Sequence, residues 1–296
     1  MLVTKLNGGM GNQMFQYAIA RAISLRAGCD FAMDTVNGLG DQFGNVTVRK
    51  YALNCFNVHE NVASVEQLEK LGIKSRSKAF KFIALVFLKI FGNWNRFRIL
   101  EKSFSFDEKI IDLKGDYYLE GFWQSEKYFI DFAEAIRQDF KLKSELSVDE
   151  LEIAKEIKSS NSVSLHIRRG DYVANAAANK FHGICSLNYY QDAVEYFGEK
   201  VSNPIFYIFS DDIDWVKENL KINFPMKFVS DGVLKDYEEL TLMSFCKHGI
   251  IANSSFSWWG AWLNANEQKI VIAPKHWFAD EKIDTSDVVP EAWVRL

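Results

Sequence analysis

From residue 149 to residue 274, short apolar runs alternate with longer amphipathic stretches in strict succession. "DELEIAKEIKS" has helical spacing, "SVSLHI" reads as a strand, "SLNYYQDAVEYFGEK" as a helix and "PIFYIFS" as a strand. "DIDWVKENL" then reads as a helix, "MKFVS" as a strand, "DYEELTLMSFCK" as a helix and "GIIAN" as a strand. "SFSWWGAWLN" reads as a helix and "QKIVIAP" as a last strand. Strands separated by helices make a parallel sheet with both faces covered, so the prediction is an α/β fold.

The first half begins the same way. "LVTKL" (2 to 6) predicts a strand, and "NGGMGNQ" (7 to 13) follows it as a glycine turn. Phe15, Ala18, Ile19, Ala22 and Ile23 then recur at helical spacing, with Gly28 placed for a C-cap. "CDFAM" (29 to 33) predicts a second strand, which completes the opening of a βαβ unit. Ser64 and Gln67 have the spacing of a capping box at the start of a helix over 64 to 72. "YYLEGFW" (117 to 123) predicts a strand and "SEKYFIDFAEAIRQDF" (125 to 140) a helix. A chain of 296 residues exceeds what one core usually carries. The expected division is residues 1–145, residues 146–275, and a tail over 276–296 that packs back on the first domain.

Each strand of the second half runs into a polar cluster. The four clusters are Arg168-Arg169-Gly170-Asp171, Ser210-Asp211-Asp212, Ser230-Asp231-Gly232 and Asn253-Ser254-Ser255. In an open α/β sheet that edge is where ligands bind. Two adjacent arginines offer planar donor forks suited to phosphate oxygens. Asn253, Ser254 and Ser255 precede a helix starting near Phe256, whose N–H groups favour an anion. A strand-end aspartate matches the paired N–H donors of a guanine edge. Together these residue types point to a nucleoside diphosphate. Plainer readings stand beside this one: an Arg168 or Arg169 ion pair with Asp171, helix capping by Asp212, Ser254 or Ser255, and a core position for His166. Trp258 and Trp262 share one helix face and are expected in the core. His182, in "KFHGICS", is placed to face the pocket.

Composition removes several function classes. The net charge of −4 argues against a nucleic-acid partner. Cys29, Cys55, Cys185 and Cys246 are scattered without a CxxC pair, which predicts buried thiols in a reducing compartment rather than a zinc site or disulfides. The opening "MLVTKLNGG" lacks the pattern of a signal peptide, and no run reaches the roughly 20 apolar residues of a membrane span. A cytoplasmic location is the expectation. Residues 74–98 carry Lys74, Arg76, Lys78, Lys81, Lys89, Arg96 and Arg98 around an apolar middle, with no acidic residue. That block reads either as a core helix with basic flanks or as a peripheral contact with the inner face of an anionic membrane.

"HIRRGDYV" (166 to 173) resembles the H-x-R-R-x-D motif of the α1,2-, α1,6- and protein O-fucosyltransferases. "GGMGNQMFQYA", "SDD…W" (Ser210 to Trp215) and "NSSFSWWGAWLN" resemble the bacterial α1,2-fucosyltransferase family in particular. The resemblance implies a GT-B fold of two Rossmann-like domains facing each other across a cleft. It implies GDP-β-L-fucose as donor, a terminal β-galactoside such as lactose or a lipid-linked glycan as acceptor, inversion of configuration, and no metal. By the same resemblance Arg168 and Arg169 bind the diphosphate and Asn12 approaches it from the first domain. Asp211 reads the guanine, Ser254, Ser255 and Phe256 line the nucleotide site, and His166 lies near the ribose or sugar. Asp171 and His182 are the candidates for the base. A sugar- or nucleotide-binding protein without turnover, and a transferase for another nucleotide sugar, are the competing function classes.

Overall fold

The computed structural model describes residues 1–39, 49–73, 97–170, 173 and 176–296. Asp171 and the basic block up to residue 96 lie outside the described residues. The chain divides into two compact units, Met1–Lys141 and Leu142–Leu296.

The first unit holds β1 (Leu2–Lys5), α1 (Met10–Ala27), β2 (Phe31–Asp34), α2 (Val65–Lys70), β3 (Arg98–Leu100), β4 (Tyr117–Glu120) and α3 (Ala133–Asp139). Its four strands are all parallel in the order β2-β1-β4-β3. Helix α1 stops where Gly28 enters the left-handed region, φ 61, and donates its N–H to the Ser24 carbonyl. The Ser64/Gln67 capping box is present at α2. Two glutamines of α1 are wholly buried, which apolar periodicity did not anticipate. They fasten loops: Gln13 Nε2 donates to the Gly8 and Lys50 carbonyls, and Gln16 Nε2 donates to the Gly121 carbonyl at 2.9 Å.

The single helix expected over 125 to 140 is broken. Two 3-10 turns, Glu126–Tyr128 and Ile130–Phe132, precede α3. The adjacent aromatics Tyr128 and Phe129 are both buried, and the backbone leaves the helical region at Phe129 (φ −141, ψ 5). A continuous helix points neighbouring side chains about 100° apart, so it buries such a pair poorly. Strand β4 is also shorter than expected, because the chain turns at Gly121 instead of continuing to Trp123.

The second unit holds α4 (Val148–Ser159), β5 (Ser162–Ile167), α5 (Ala176–His182), α6 (Leu187–Lys200), β6 (Ile205–Ser210) and α7 (Ile213–Asn219). It continues with β7 (Met226–Phe228), α8 (Asp236–Phe245), β8 (His248–Ile250), α9 (Ser255–Leu263), β9 (Val271–Ala273) and β10 (Val294–Arg295). The six strands are parallel in the order β10-β9-β8-β5-β6-β7. Counted from β5, that is the 3-2-1-4-5-6 order of a doubly wound nucleotide-binding sheet, and its direction reverses between β5 and β8. Val163, Leu165, Phe206, Ile208, Ile250 and Ile272 fill the core from successive strands.

Three expectations are corrected here. The C-terminal tail, expected as a separate segment, belongs to the second unit and adds β10 to the edge of its sheet, pairing Val294 with Ile272. Two residues, Val294 and Arg295, bordered by a β9 edge are enough to extend a parallel ladder, and they carry little pattern. The boundary between units falls at 141 rather than 145. Of the four free cysteines only Cys246 is fully buried, and Cys29, Cys55 and Cys185 are half-buried. Trp258, Trp259 and Trp262 are core residues as expected, and Trp258 Nε1 donates to the Val288 carbonyl of the tail.

Candidate functional site

Strand register assembles the site of the second unit. Ile167 of β5 lies opposite Ser210 of β6, so the next residues on each chain are neighbours. Arg168 Nη1 pairs with Asp211 Oδ2 at 3.2 Å, and Arg169 Nε with Asp212 Oδ2 at 3.2 Å. The other Asp211 oxygen accepts the Arg169 backbone N–H at 2.8 Å. The Arg169 guanidinium also lies over the Trp215 ring, 4.0 Å from its centroid. Asp212 stands at the N-cap of α7 but makes no capping bond; its carboxylate belongs to Arg169. Among the described residues, the aspartates that follow the neighbouring strand are ion-pair partners of the arginines. A Cβ at Gly170 would come within 3.0 Å of Asp211 Oδ2, which explains a glycine after the pair.

His166 is buried at 3% exposure and its ring lies 5.5 Å from that of Phe256. Burial, with the positive charge of Arg168, holds its pKa down to about 3, so the ring is neutral. Its Nδ1 has no protein partner among the described residues.

Across the switch point, Ser254 is the N-cap of α9, its hydroxyl accepting the Phe256 N–H at 3.3 Å. Asn253 is a hub: Nδ2 donates to the His182 carbonyl at 2.8 Å and to the Gly183 and Trp277 carbonyls at 3.3 Å. Its Oδ1 accepts from the Cys185 thiol, whose own pKa burial pushes up to about 11. This pins the 182–185 loop to the end of β8, while the His182 ring sits among Phe181 and Phe278. The third cluster divides. Asp231 closes its own turn by accepting the Val233 and Leu234 N–H groups, whereas Ser230 accepts the Ser210 N–H inside the site. Among the described residues no three His, Cys, Asp or Glu side chains are grouped to hold a metal ion.

The arginine pair and the capped α9 terminus lie at the switch point of the sheet, where ligands bind in open α/β folds. The model of glycosyl transferase family 11 matches residues 1–296. The chain belongs to glycosyl transferase family 11. It is 35% identical to an alpha-1,2-colitosyltransferase of Escherichia coli, over 100% of this chain and 99% of that one. It is 32% identical to the O-antigen biosynthesis glycosyltransferase WbnK of Escherichia coli, over 98% and 99%. It is 27% identical to the galactoside alpha-(1,2)-fucosyltransferase 1 of Aotus azarae, over 53% of this chain and 45% of that one.

Two groups in this family 11 glycosyltransferase escaped the sequence reading. The first is Glu239 on α8, which looks like one of a run of solvated acids. Its side chain is half-buried and hydrogen-bonds Ser230. Burial first, then the charges of Asp236, Asp231 and Asp211, push its pKa up to about 7, while the Ser230 bond opposes them. A raised carboxyl beside the strand-end clusters is a functional signal that only tertiary placement reveals. The second group surrounds Asn12 in the first unit. Gln124 Nε2 donates to Asn12 Oδ1 at 2.8 Å. Gly8 takes φ 80, and a Cβ there would lie 2.5 Å from Asn12 Nδ2, so two separate constraints require glycine.

Proposed function

We propose that this glycosyltransferase moves L-fucose from GDP-β-L-fucose to the 2-hydroxyl of a terminal β-galactose, with inversion. The observation that carries the reading is the arginine pair at the switch point, positioned by two aspartates and set across from the α9 terminus. The Arg168 and Arg169 forks, with the N–H group of Ser255 at the start of α9, hold the diphosphate. His166 and Phe256 flank the ribose. Asp211 is occupied by the arginines, so the guanine N1–H and amine fall to the Glu239 carboxylate. In the transfer, the galactose 2-oxygen bonds to the sugar C1 from the face opposite GDP as the bond from C1 to the β-phosphate oxygen breaks. The hydroxyl proton passes to a base, for which Asp171 and His182 remain the candidates. The electron pair of the broken bond leaves with GDP, and Arg168 with the helix terminus stabilises that charge.

This positive potential takes the place of a divalent ion. EDTA is expected to leave the rate unchanged within twofold; strict dependence on added magnesium or manganese after chelation would overturn the reading.

A second donor is favoured by one observation, the 35% identity to a colitosyltransferase over full length. Colitose is fucose without the 3-hydroxyl, and the GDP-binding residues serve both. The deciding experiment follows nucleotide binding and turnover together. GDP should raise the Tm more than UDP or ADP, and GDP should be released from GDP-fucose only in the presence of lactose or a similar galactoside. Transfer from GDP-colitose at a higher kcat/KM than from GDP-fucose would assign the second donor. A Tm shift without turnover from either would leave a binding protein.

A further inference from the structure

We propose that Ser230 is the positioning residue of Glu239: its hydroxyl, fixed by the Ser210 backbone N–H, holds one end of the Glu239 side chain for guanine; this rests on the reading of Glu239 as the guanine partner above. Strands β6 and β7 pair as far as Ile208 and Phe228, and the Val229 N–H closes on the Ile208 carbonyl at 2.9 Å. The next donor along β6 goes to a side chain, the Ser210 N–H donating to Ser230 Oγ at 3.0 Å. A backbone N–H can only donate, so the direction of this bond is settled. With its acceptor side engaged, the Ser230 hydroxyl turns its hydrogen away from Ser210 and gives it to Glu239. Ser210 and Ser230 are 6% and 5% exposed, so water competes little for either bond. The relay joins the end of β6, the loop after β7 and helix α8.

The relay sets both the aim and the charge of the carboxyl. The charged groups that act on Glu239 are Asp236 of its own helix, Asp231 of the loop after β7 and Asp211 at the end of β6. All three are acidic, and each opposes ionisation, as partial burial does. The Ser230 donor works the other way, because a hydrogen bond to the charged form favours it. A carboxylate offers about four acceptor positions. Ser230 takes one of them, which leaves each oxygen a position for one of the two guanine donors. Without that hydroxyl the side chain loses its anchor and holds its proton to higher pH.

Two titrations of the full chain test this. The first needs no ligand: the Tm difference between a protein and its Glu239→Gln counterpart, followed from pH 5 to 9, reports ionisation of Glu239 in the folded state. In wild type that difference grows with pH and levels off near pH 7. In Ser230→Ala it should level off about one pH unit higher, the worth of one hydrogen bond to a charged group. The second titration follows GDP affinity. Its tightening with pH should move upward by the same amount, so the variant should bind GDP at least about fivefold more weakly at pH 7 and recover most of that loss by pH 9. Ser230→Thr keeps the hydroxyl and should behave as wild type. Ser230→Val has the same shape without it and should behave as alanine, and this pair serves if alanine impairs folding. An unshifted ligand-free titration in Ser230→Ala and Ser230→Val would overturn the role of Ser230. A shifted titration that GDP affinity does not follow would instead overturn the reading of Glu239 as the guanine partner.

Discussion

Replacing Arg168 by alanine is expected to slow transfer by about 100-fold or more, as for loss of one preorganised charge-stabilising donor. The argument starts from placement. Arg168 leaves the end of β5 at the switch point, half-buried, with Asp211 fixing its guanidinium from the next strand. A charge held this way needs no reorganisation when the leaving diphosphate develops its own. Arg168→Lys should rescue little, since an ammonium cannot both pair with Asp211 and present a planar fork to phosphate. Asp211→Asn should fall between, because it weakens the pair and keeps the Arg169 N–H bond. Single-turnover rates with GDP-fucose and lactose measure the effect. Near-normal turnover by a folded Arg168→Ala enzyme would end this assignment of the charge.

The second sheet was legible because its strands are buried on both faces. "PIFYIFS" is a nearly continuous apolar run, "SVSLHI" carries Val163, Leu165 and Ile167 between small or buried polar residues, and each ends where charge returns. Edge strands lack that signature: "RIL" at 98–100 and "VR" at 294–295 are too short and too exposed to show a period. The arginine pair was visible as a motif, but its partners were not. The register of β5 against β6 delivers Asp211 and Asp212 from some 40 residues away. Glu239 was hidden for a similar reason. In "DYEELTL" it reads as a solvated helix face, and only the loop carrying Ser230 removes it from water. The glutamines of α1 show the opposite case, polar residues at core positions whose purpose is to hold loops whose paths a linear pattern does not contain.

Glu239→Gln is expected to weaken GDP binding by roughly 10- to 100-fold, the range for a hydrogen bond to a charged group, and to stabilise the unliganded protein at high pH. Both follow from the raised pKa of about 7. Well below pH 4.5, folded and unfolded chains alike hold the proton. Between there and pH 7 the folded chain keeps a proton that the unfolded chain has released, so this group's contribution to stability is lost as pH rises through 7. Above pH 7 the folded state carries a half-buried carboxylate. Solvent screening limits its cost to about 1–2 kcal/mol, or roughly 3–6 °C in Tm. The glutamine variant should therefore melt higher than wild type at pH 8 and alike near pH 3. Guanine recognition needs the ionised form, so wild-type affinity for GDP should tighten between pH 6 and 8, and the variant's should not. The variant should also lose its preference for GDP over ADP, because an amide presents one acceptor where the carboxylate presents two. A folded Glu239→Gln protein that binds GDP as tightly and as selectively as wild type at pH 8 would move guanine recognition to another group, and Asp211 would be the first to examine.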